Sequence, residues 1–134
     1  MKALKKLKSI LLIDDNEIDN FINRKIIENY GRISVSEFTS TRLALEYLAD
    51  VNQLPEMIFL DINLPIMDGF EFLSEYGKLN KEKKSTEIVM LSASCNPKEI
   101  EAARQNENCM GFMEKPLTKQ KLSQLFNRLS HRKL

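Results

Sequence analysis

The sequence predicts an α/β fold in which a five-stranded parallel sheet is covered by helices on both faces. Five apolar segments of strand length recur along the chain, and helical patterns of apolar residues separate them. The strand segments are continuously apolar, which is typical of strands buried on both faces in a doubly wound sheet. We therefore expect a single domain over residues 1–134, with a core from about residue 9 to residue 129.

Polar residues or Gly and Pro bound each predicted element. The predicted strands are 9–14, 33–38, 57–60, 88–91 and 110–113. Amphipathic spacing predicts a first helix with apolar residues Ile18, Phe21, Ile22 and Ile26, and a last helix with Leu122, Leu125, Phe126 and Leu129. Three weaker patterns predict helices over 43–48, 70–76 and 99–105. They follow the capping candidates Thr39, Ser40, Asp68-Gly69 and Asn96-Pro97. Residues 78–86 are polar and predict a loop.

Composition excludes several classes of function. Hydrophobic residues make up 43% and charged residues 29% of the chain, and the net charge is +1, so direct nucleic-acid binding is not indicated. The basic N-terminus precedes an apolar segment that ends at Asp14, too short for a signal peptide or a membrane span. We expect a cytoplasmic protein without membrane insertion. Cys95 and Cys109 lack metal-ligand spacing and are expected to be reduced thiols.

Polar side chains follow four of the predicted strands. Asp14 and Asp15 come after the first, Asp61 ends the third, Ser92 the fourth and Lys115 the fifth. In a doubly wound parallel sheet, the carboxyl ends of the strands lie at one edge, where ligands bind. We therefore expect these side chains to converge.

Each of these residue types suits one kind of chemistry. Adjacent carboxylates repel one another, and Mg²⁺, which prefers oxygen ligands, would relieve that repulsion. A carboxylate near Mg²⁺ can accept a phosphoryl group, while an ammonium and a hydroxyl stabilise charge on the transferring oxygens. Asp61, Lys115 and Ser92 fit these three roles.

Four motifs resemble the receiver (CheY-like) domain of two-component response regulators. They are IDD at 13–15, DINLPIMDG at 61–69, Ser92-Ala93 and GFMEKP at 111–116. They occur in the order and spacing of that family, and the resemblance spans about 9–129. It implies a flavodoxin-like (βα)5 fold with strand order 2-1-3-4-5.

The resemblance also implies roles for individual residues. Asp61 would be the phosphoacceptor, Asp15 a direct Mg²⁺ ligand, and Asp14 would act on the ion largely through water. Asn63 would contribute its backbone carbonyl to the metal. Lys115 would pair with the acids at rest and with the phosphoryl group afterwards, beside a peptide bond to Pro116 that is cis in this family.

A conformational switch is implied as well. The Ser92 hydroxyl would move to the phosphoryl group, Phe112 would rotate inward, and the surface of the fourth helix, fifth strand and fifth helix would change. Phe112 lacks the hydroxyl of the commoner Tyr, which leaves the strength of the switch open. Asn63 and Ser94 lie where the family tunes the lifetime of the aspartyl phosphate.

Simpler interpretations stay open at several positions. Asp14 and Asp15 could cap the first helix, and Phe112 could be plain core packing. His131, the only histidine, is expected to be a solvated bystander, so the phosphodonor histidine should belong to another protein.

We expect a stand-alone receiver without a fused output domain, which is not an enzyme apart from slow self-dephosphorylation. Its partners would be a sensor histidine kinase or a histidine phosphotransfer protein, and an unknown downstream protein. One alternative is a pseudo-receiver that binds partners without phosphorylation. Another is an aspartyl-nucleophile phosphatase of the haloacid dehalogenase type, although Asn63 stands where that family typically has a general-acid Asp.

Overall fold

The computed structural model describes residues 7–64, 66–79, 86–93 and 96–132, with side chains through residue 129. Five strands and five helices alternate in it. They are β1 (Ser9–Ile13), α1 (Glu17–Tyr30), β2 (Ser34–Phe38), α2 (Thr41–Asp50), β3 (Met57–Asp61), α3 (Gly69–Gly77), β4 (Glu87–Ser92), α4 (Pro97–Gln105), β5 (Gly111–Glu114) and α5 (Lys119–Arg132). Ser94, Cys95, most of the predicted loop over 78–86 and the side chain of His131 lie outside the described residues.

All five strands pair in parallel in the order β2-β1-β3-β4-β5, which confirms the predicted fold. β1 lies between β2 and β3, and each crossover contains one helix. The chain reverses its direction of winding between β1 and β3, so the ends of these two strands flank the crevice where doubly wound sheets bind ligands.

Alternate strand residues supply two separate cores, one on each face of the sheet. Leu11, Ile58 and Ile88 belong to the core covered by α2, α3 and α4. Ile10, Phe59 and the α5 residue Leu122 belong to the core covered by α1 and α5. This two-sided burial explains why β3 is buried at every position.

A capping side chain precedes each of the five helices, and in α5 it is Thr118, whose Oγ1 accepts the Lys121 amide at 3.1 Å. Asn16 caps α1, Ser40 caps α2, and Asn96 caps α4 with Pro97 in the first turn. Asp68 caps α3 in a reciprocal arrangement with Glu71. The simpler interpretation of Asp14 and Asp15 as helix caps is therefore wrong, because Asn16 accepts the amides of the first turn.

Of the four apolar residues predicted for the buried face of α1, Ile26 packs against the core and the other three are exposed. Ile18, Phe21 and Ile22 are 68%, 50% and 48% exposed, whereas Asn20 and Asn23 are buried on the inner side. The prediction of a helix is confirmed, but its orientation differs because Asn20 hydrogen-bonds inward to the backbone.

Gly69 allows α3 to start against the end of β3. A Cβ atom at this position would lie 2.7 Å from the Met90 Cε and 3.0 Å from the backbone oxygen of Asp61. Any larger residue would push α3 away from the strand end that carries Asp61. Over the part of the chain that is described, no helix is both long and apolar enough to cross a bilayer.

Candidate functional site

Three carboxylates converge at the carboxyl ends of β1 and β3. Asp14, Asp15 and Asp61 each offer an oxygen within 4.8 Å of the others. Asp14 and Asp61 are 3% and 6% exposed, whereas Asp15 is exposed to solvent. Their meeting was predicted from the sequence, because β1 and β3 are adjacent parallel strands.

Backbone contacts fix the β1–α1 connection that carries Asp14. The Asp14 amide donates to the Phe38 carbonyl at 3.1 Å, and its Oδ1 accepts from the Asn16 amide at 2.9 Å. The buried Asn20 Nδ2 donates to the carbonyls of Asp14 and Phe38 at 3.0 and 3.2 Å. Asn20 thus ties the end of β1 to the end of β2.

The β3–α3 connection is held on the other side of the cluster. The Asn63 amide donates to the Asp61 Oδ1 at 3.4 Å, and the Gly69 amide donates to the Ile62 carbonyl at 2.9 Å. Ile66 in this connection is fully exposed and has φ 69°, a left-handed conformation that is unfavourable for a β-branched residue. Asn63 is exposed.

Lys115 reaches the cluster from the β5–α5 connection. Its Nζ lies 2.8 Å from the Asp14 Oδ2 and 3.4 Å from an oxygen of both Asp61 and Asp19. The Lys115 amide donates to the Ser92 carbonyl at 2.7 Å, which links this connection to the end of β4. The Lys115-Pro116 peptide bond is cis, as the resemblance implied.

A second lysine supports this connection. The Lys121 Nζ, from the first turn of α5, lies 2.6 Å from the Glu114 carbonyl oxygen and 2.9 Å from that of Pro116. These two carbonyls flank Lys115, so Lys121 holds the backbone on both sides of it.

Burial and charge shift the proton affinities of the two central groups. Burial raises the pKa of Asp61, the neighbouring Asp14 raises it further, and Lys115 and the Asn63 amide act in the opposite direction. Burial alone would lower the pKa of Lys115, but its contact with Asp14 and the charges of Asp61, Asp14 and Asp19 raise it. Lys115 is therefore a cation that partly compensates a crowded group of carboxylates.

Ser92 lies at the end of β4, as predicted, and is buried. Its Oγ lies 3.4 Å from the Glu99 Oε1 in the first turn of α4. Phe112 is half-buried on β5 beside Met90, and it packs against the core beneath α2, α3 and α4. Core packing therefore accounts for Phe112 in this conformation, and its role in a switch stays a prediction.

Sequence reasoning missed Asp19 and Glu99, which contact the predicted positions Lys115 and Ser92. It also missed Lys121, which contacts the backbone on both sides of Lys115. Asp19 follows Asp15 by four residues, the spacing of one helical turn, and this was the available signal. Lys121 and Glu99 contact the site through helices whose placement depends on packing, and no local pattern distinguishes them from other exposed residues.

Comparisons with known proteins agree with this geometry. Residues 10–127 match the model of the response regulator receiver domain. The chain is 39% identical over 83 residues to the sensor histidine kinase CheAY of Helicobacter pylori, which covers 62% of this chain but only 10% of the kinase. It is 29% identical to the polar-differentiation response regulator DivK of Brucella ovis, over 83% of this chain and 86% of that protein.

A solved structure extends the likeness to the whole fold. The crystal structure of a two component response regulator from Cytophaga hutchinsonii superimposes with a TM-score of 0.83 at 31% identity, covering 93% of this chain and 98% of the other. The motifs, the strand order and the convergence of three aspartates with Lys115 all lie within the matched residues. The chain belongs to the response regulator receiver domain family.

Proposed function

We propose that this receiver domain is a phosphorylation-controlled switch whose acceptor is Asp61. The phosphoryl group would come from a histidine of a sensor kinase or a histidine phosphotransfer protein. The observation that carries the proposal is the position of the Lys115 ammonium, 3.4 Å from Asp61 and 2.8 Å from Asp14, beside three clustered carboxylates. The family is one of signalling domains, and two relatives are named as a sensor histidine kinase and a response regulator.

The donor set fits Mg²⁺. Receiver domains bind this ion at an acidic pocket, and the described residues bring three carboxylates together at such a pocket. Asp14, Asp15 and Asp61 would hold the ion, with the Asn63 carbonyl as a further ligand. A bound Mg²⁺ would supply positive charge to the transferring phosphoryl oxygens.

The residues of the chain perform the transfer itself. An Asp61 carboxylate oxygen attacks the phosphorus, a P–O bond forms, and the P–N bond to the donor imidazole breaks. The electron pair of that bond stays on the imidazole nitrogen, which takes a proton. Lys115 stabilises the negative charge on the phosphoryl oxygens, for which its cationic state is required.

Two contacts support a route from Asp61 to the outer surface. The Ser92 hydroxyl lies 3.4 Å from Glu99 of α4, so its movement to the phosphoryl group would end a contact with that helix. Phe112 stands on β5, and the neighbouring strand β4 carries Ser92 at its end. We propose that this rearrangement alters the α4, β5 and α5 surface for a downstream protein in the cytoplasm.

The test is intact mass spectrometry after incubation with acetyl phosphate, with and without Mg²⁺. Addition of one phosphoryl group should require Mg²⁺ and should be lost in Asp61→Asn. Asp50→Asn is the matched control, because Asp50 is an exposed aspartate at the end of α2. Its phosphorylation should equal that of the wild type.

A second measurement detects the acceptor site when the phosphorylated form is too short-lived for mass spectrometry. Beryllofluoride mimics the phosphoryl group on a carboxylate, and Mg²⁺-dependent binding to the wild type but not to Asp61→Asn supports the acceptor role. Absence of both the adduct and beryllofluoride binding contradicts the proposal and favours a binding module that does not use phosphorylation.

A further inference from the structure

Asp19 is an additional carboxylate at the mouth of the pocket. It belongs to the first turn of α1, and its Oδ2 lies 3.4 Å from the Lys115 Nζ. Its side chain is 40% exposed, compared with 5% for Asp14 and 8% for Asp61. Lys115 therefore extends between two buried carboxylates and one that faces solvent.

The backbone of Asp19 is fixed independently of this contact. Its amide donates to the Oδ1 of the cap residue Asn16 at 3.1 Å. The backbone position of Asp19 is thus set by the start of α1, and its carboxylate reaches Lys115 from there.

We propose that Asp19 is a positioning residue that holds the Lys115 ammonium at the mouth of the pocket in the resting state and competes with the phosphoryl group for it. This inference rests on the proposed acceptor role of Asp61. It assigns to Asp19 a restraining effect on phosphorylation, exerted through Lys115.

The other two partners of Lys115 cannot compete in the same way. After transfer, the Asp61 carboxylate is esterified by the phosphoryl group and no longer carries a separate charge. It therefore does not compete with the phosphoryl group for Lys115. Asp14 is part of the acidic cluster that would also contact a cation. Among the described residues, Asp19 stands outside that cluster, and its carboxylate stays with Lys115.

Replacing Asp19 by Asn keeps the shape of the side chain and removes its charge. The ion pair between Asp19 and Lys115 is partly exposed, and partly exposed pairs contribute little free energy. Its loss should therefore change the binding constant of beryllofluoride by a small factor. We expect Asp19→Asn to bind beryllofluoride about two- to fivefold more tightly than the wild type, measured by calorimetry in saturating Mg²⁺. The difference should shrink in high salt, because exposed charges are screened.

Glu17→Gln is the matched control. Glu17 is the other acid in the first turn of α1, so the variant removes one charge from the same end of the helix dipole. The structure records no ion pair between Glu17 and Lys115. Its beryllofluoride affinity should equal that of the wild type.

A double-mutant cycle with Lys115→Met tests whether Asp19 acts through the lysine. In the Lys115→Met background, Asp19→Asn should no longer change the affinity. An unchanged or weakened affinity in Asp19→Asn, an equal gain in Glu17→Gln, or a gain that persists without Lys115 would each overturn the inference.

The side-chain NMR signals of Lys115 separate this inference from the proposed function. Without ligand, they should shift in Asp19→Asn and stay in place in Glu17→Gln if Asp19 holds the ammonium at rest. If the wild type neither binds beryllofluoride nor forms the phosphoryl adduct, the proposed function is contradicted. Binding by the wild type with unmoved lysine signals in Asp19→Asn would remove only the role of Asp19.

Discussion

Helices α1 and α5 cover the same face of the sheet, yet most of the apolar residues predicted for burial are exposed in α1 and buried in α5. In α5, Leu122, Leu125 and Leu129 are at most 9% exposed and belong to the core. In α1, Ile18 is 68% exposed and Asn20 is 1% exposed. The two helices meet through an edge-to-face contact of Tyr30 and Phe126, with ring centroids 5.1 Å apart.

The difference shows that apolar periodicity predicts a helix without deciding which side of it is buried. Hydrophobic burial orients α5, whose predicted leucines all enter the core. In α1 the buried amide of Asn20 binds the carbonyls of Asp14 and Phe38 next to the acidic cluster. Part of the apolar pattern of α1 thus lies exposed, while Asn20 stabilises the connection that carries Asp14.

The largest expected contrast is between apolar residues of the two helices. Leu122→Ala removes a side chain with no exposed surface and should lower the free energy of unfolding by about 2–5 kcal/mol. Ile22→Ala on α1 should cost less than about 1 kcal/mol, because Ile22 is 48% exposed. Urea unfolding followed by far-UV circular dichroism measures both, and equal losses would contradict the contrast.

Asn20→Ala should have an intermediate effect. It removes the two amide hydrogen bonds at the ends of β1 and β2 and leaves a buried carbonyl of Asp14 with one donor fewer, at a cost of about 1–3 kcal/mol. Asn29→Ala, on the exposed side of the same helix, is the control and should cost less than about 0.5 kcal/mol. If both variants unfold at the same urea concentration, Asn20 does not orient α1.

The difference between α1 and α5 also explains which residues of the site could be predicted from the sequence. Asp14, Asp15, Asp61, Ser92 and Lys115 could be placed because each follows a strand, and parallel strands bring their carboxyl ends to one edge. Asp19 was missed because its distance to Lys115 depends on the rotation of α1. The inward hydrogen bonds of Asn20 set that rotation. The apolar pattern alone predicts the opposite side of the helix to be buried. Glu99 and Lys121 lie on helices as well, so the strand-end residues were predicted and their helical partners were not.

The smallest expected effect comes from Asp61 itself. Its pKa is raised by burial and then by Asp14, so the folded protein binds a proton at Asp61 more readily than the unfolded chain. Between the ordinary Asp value and the raised one, the free energy of unfolding therefore falls as pH rises. Above that window, the charged Asp61 keeps the folded state less stable than a neutral residue would.

Asp61→Asn should accordingly raise the free energy of unfolding at neutral pH, by less than about 1 kcal/mol because the Lys115 contact offsets part of the burial cost. The gain should vanish at acidic pH, where the wild-type carboxyl is protonated. Urea titrations over a pH series without Mg²⁺ measure it, with Asp50→Asn as an exposed control. A loss of stability in Asp61→Asn at neutral pH that disappears on acidification would mean that Lys115 stabilises the charge of Asp61 more than burial disfavours it.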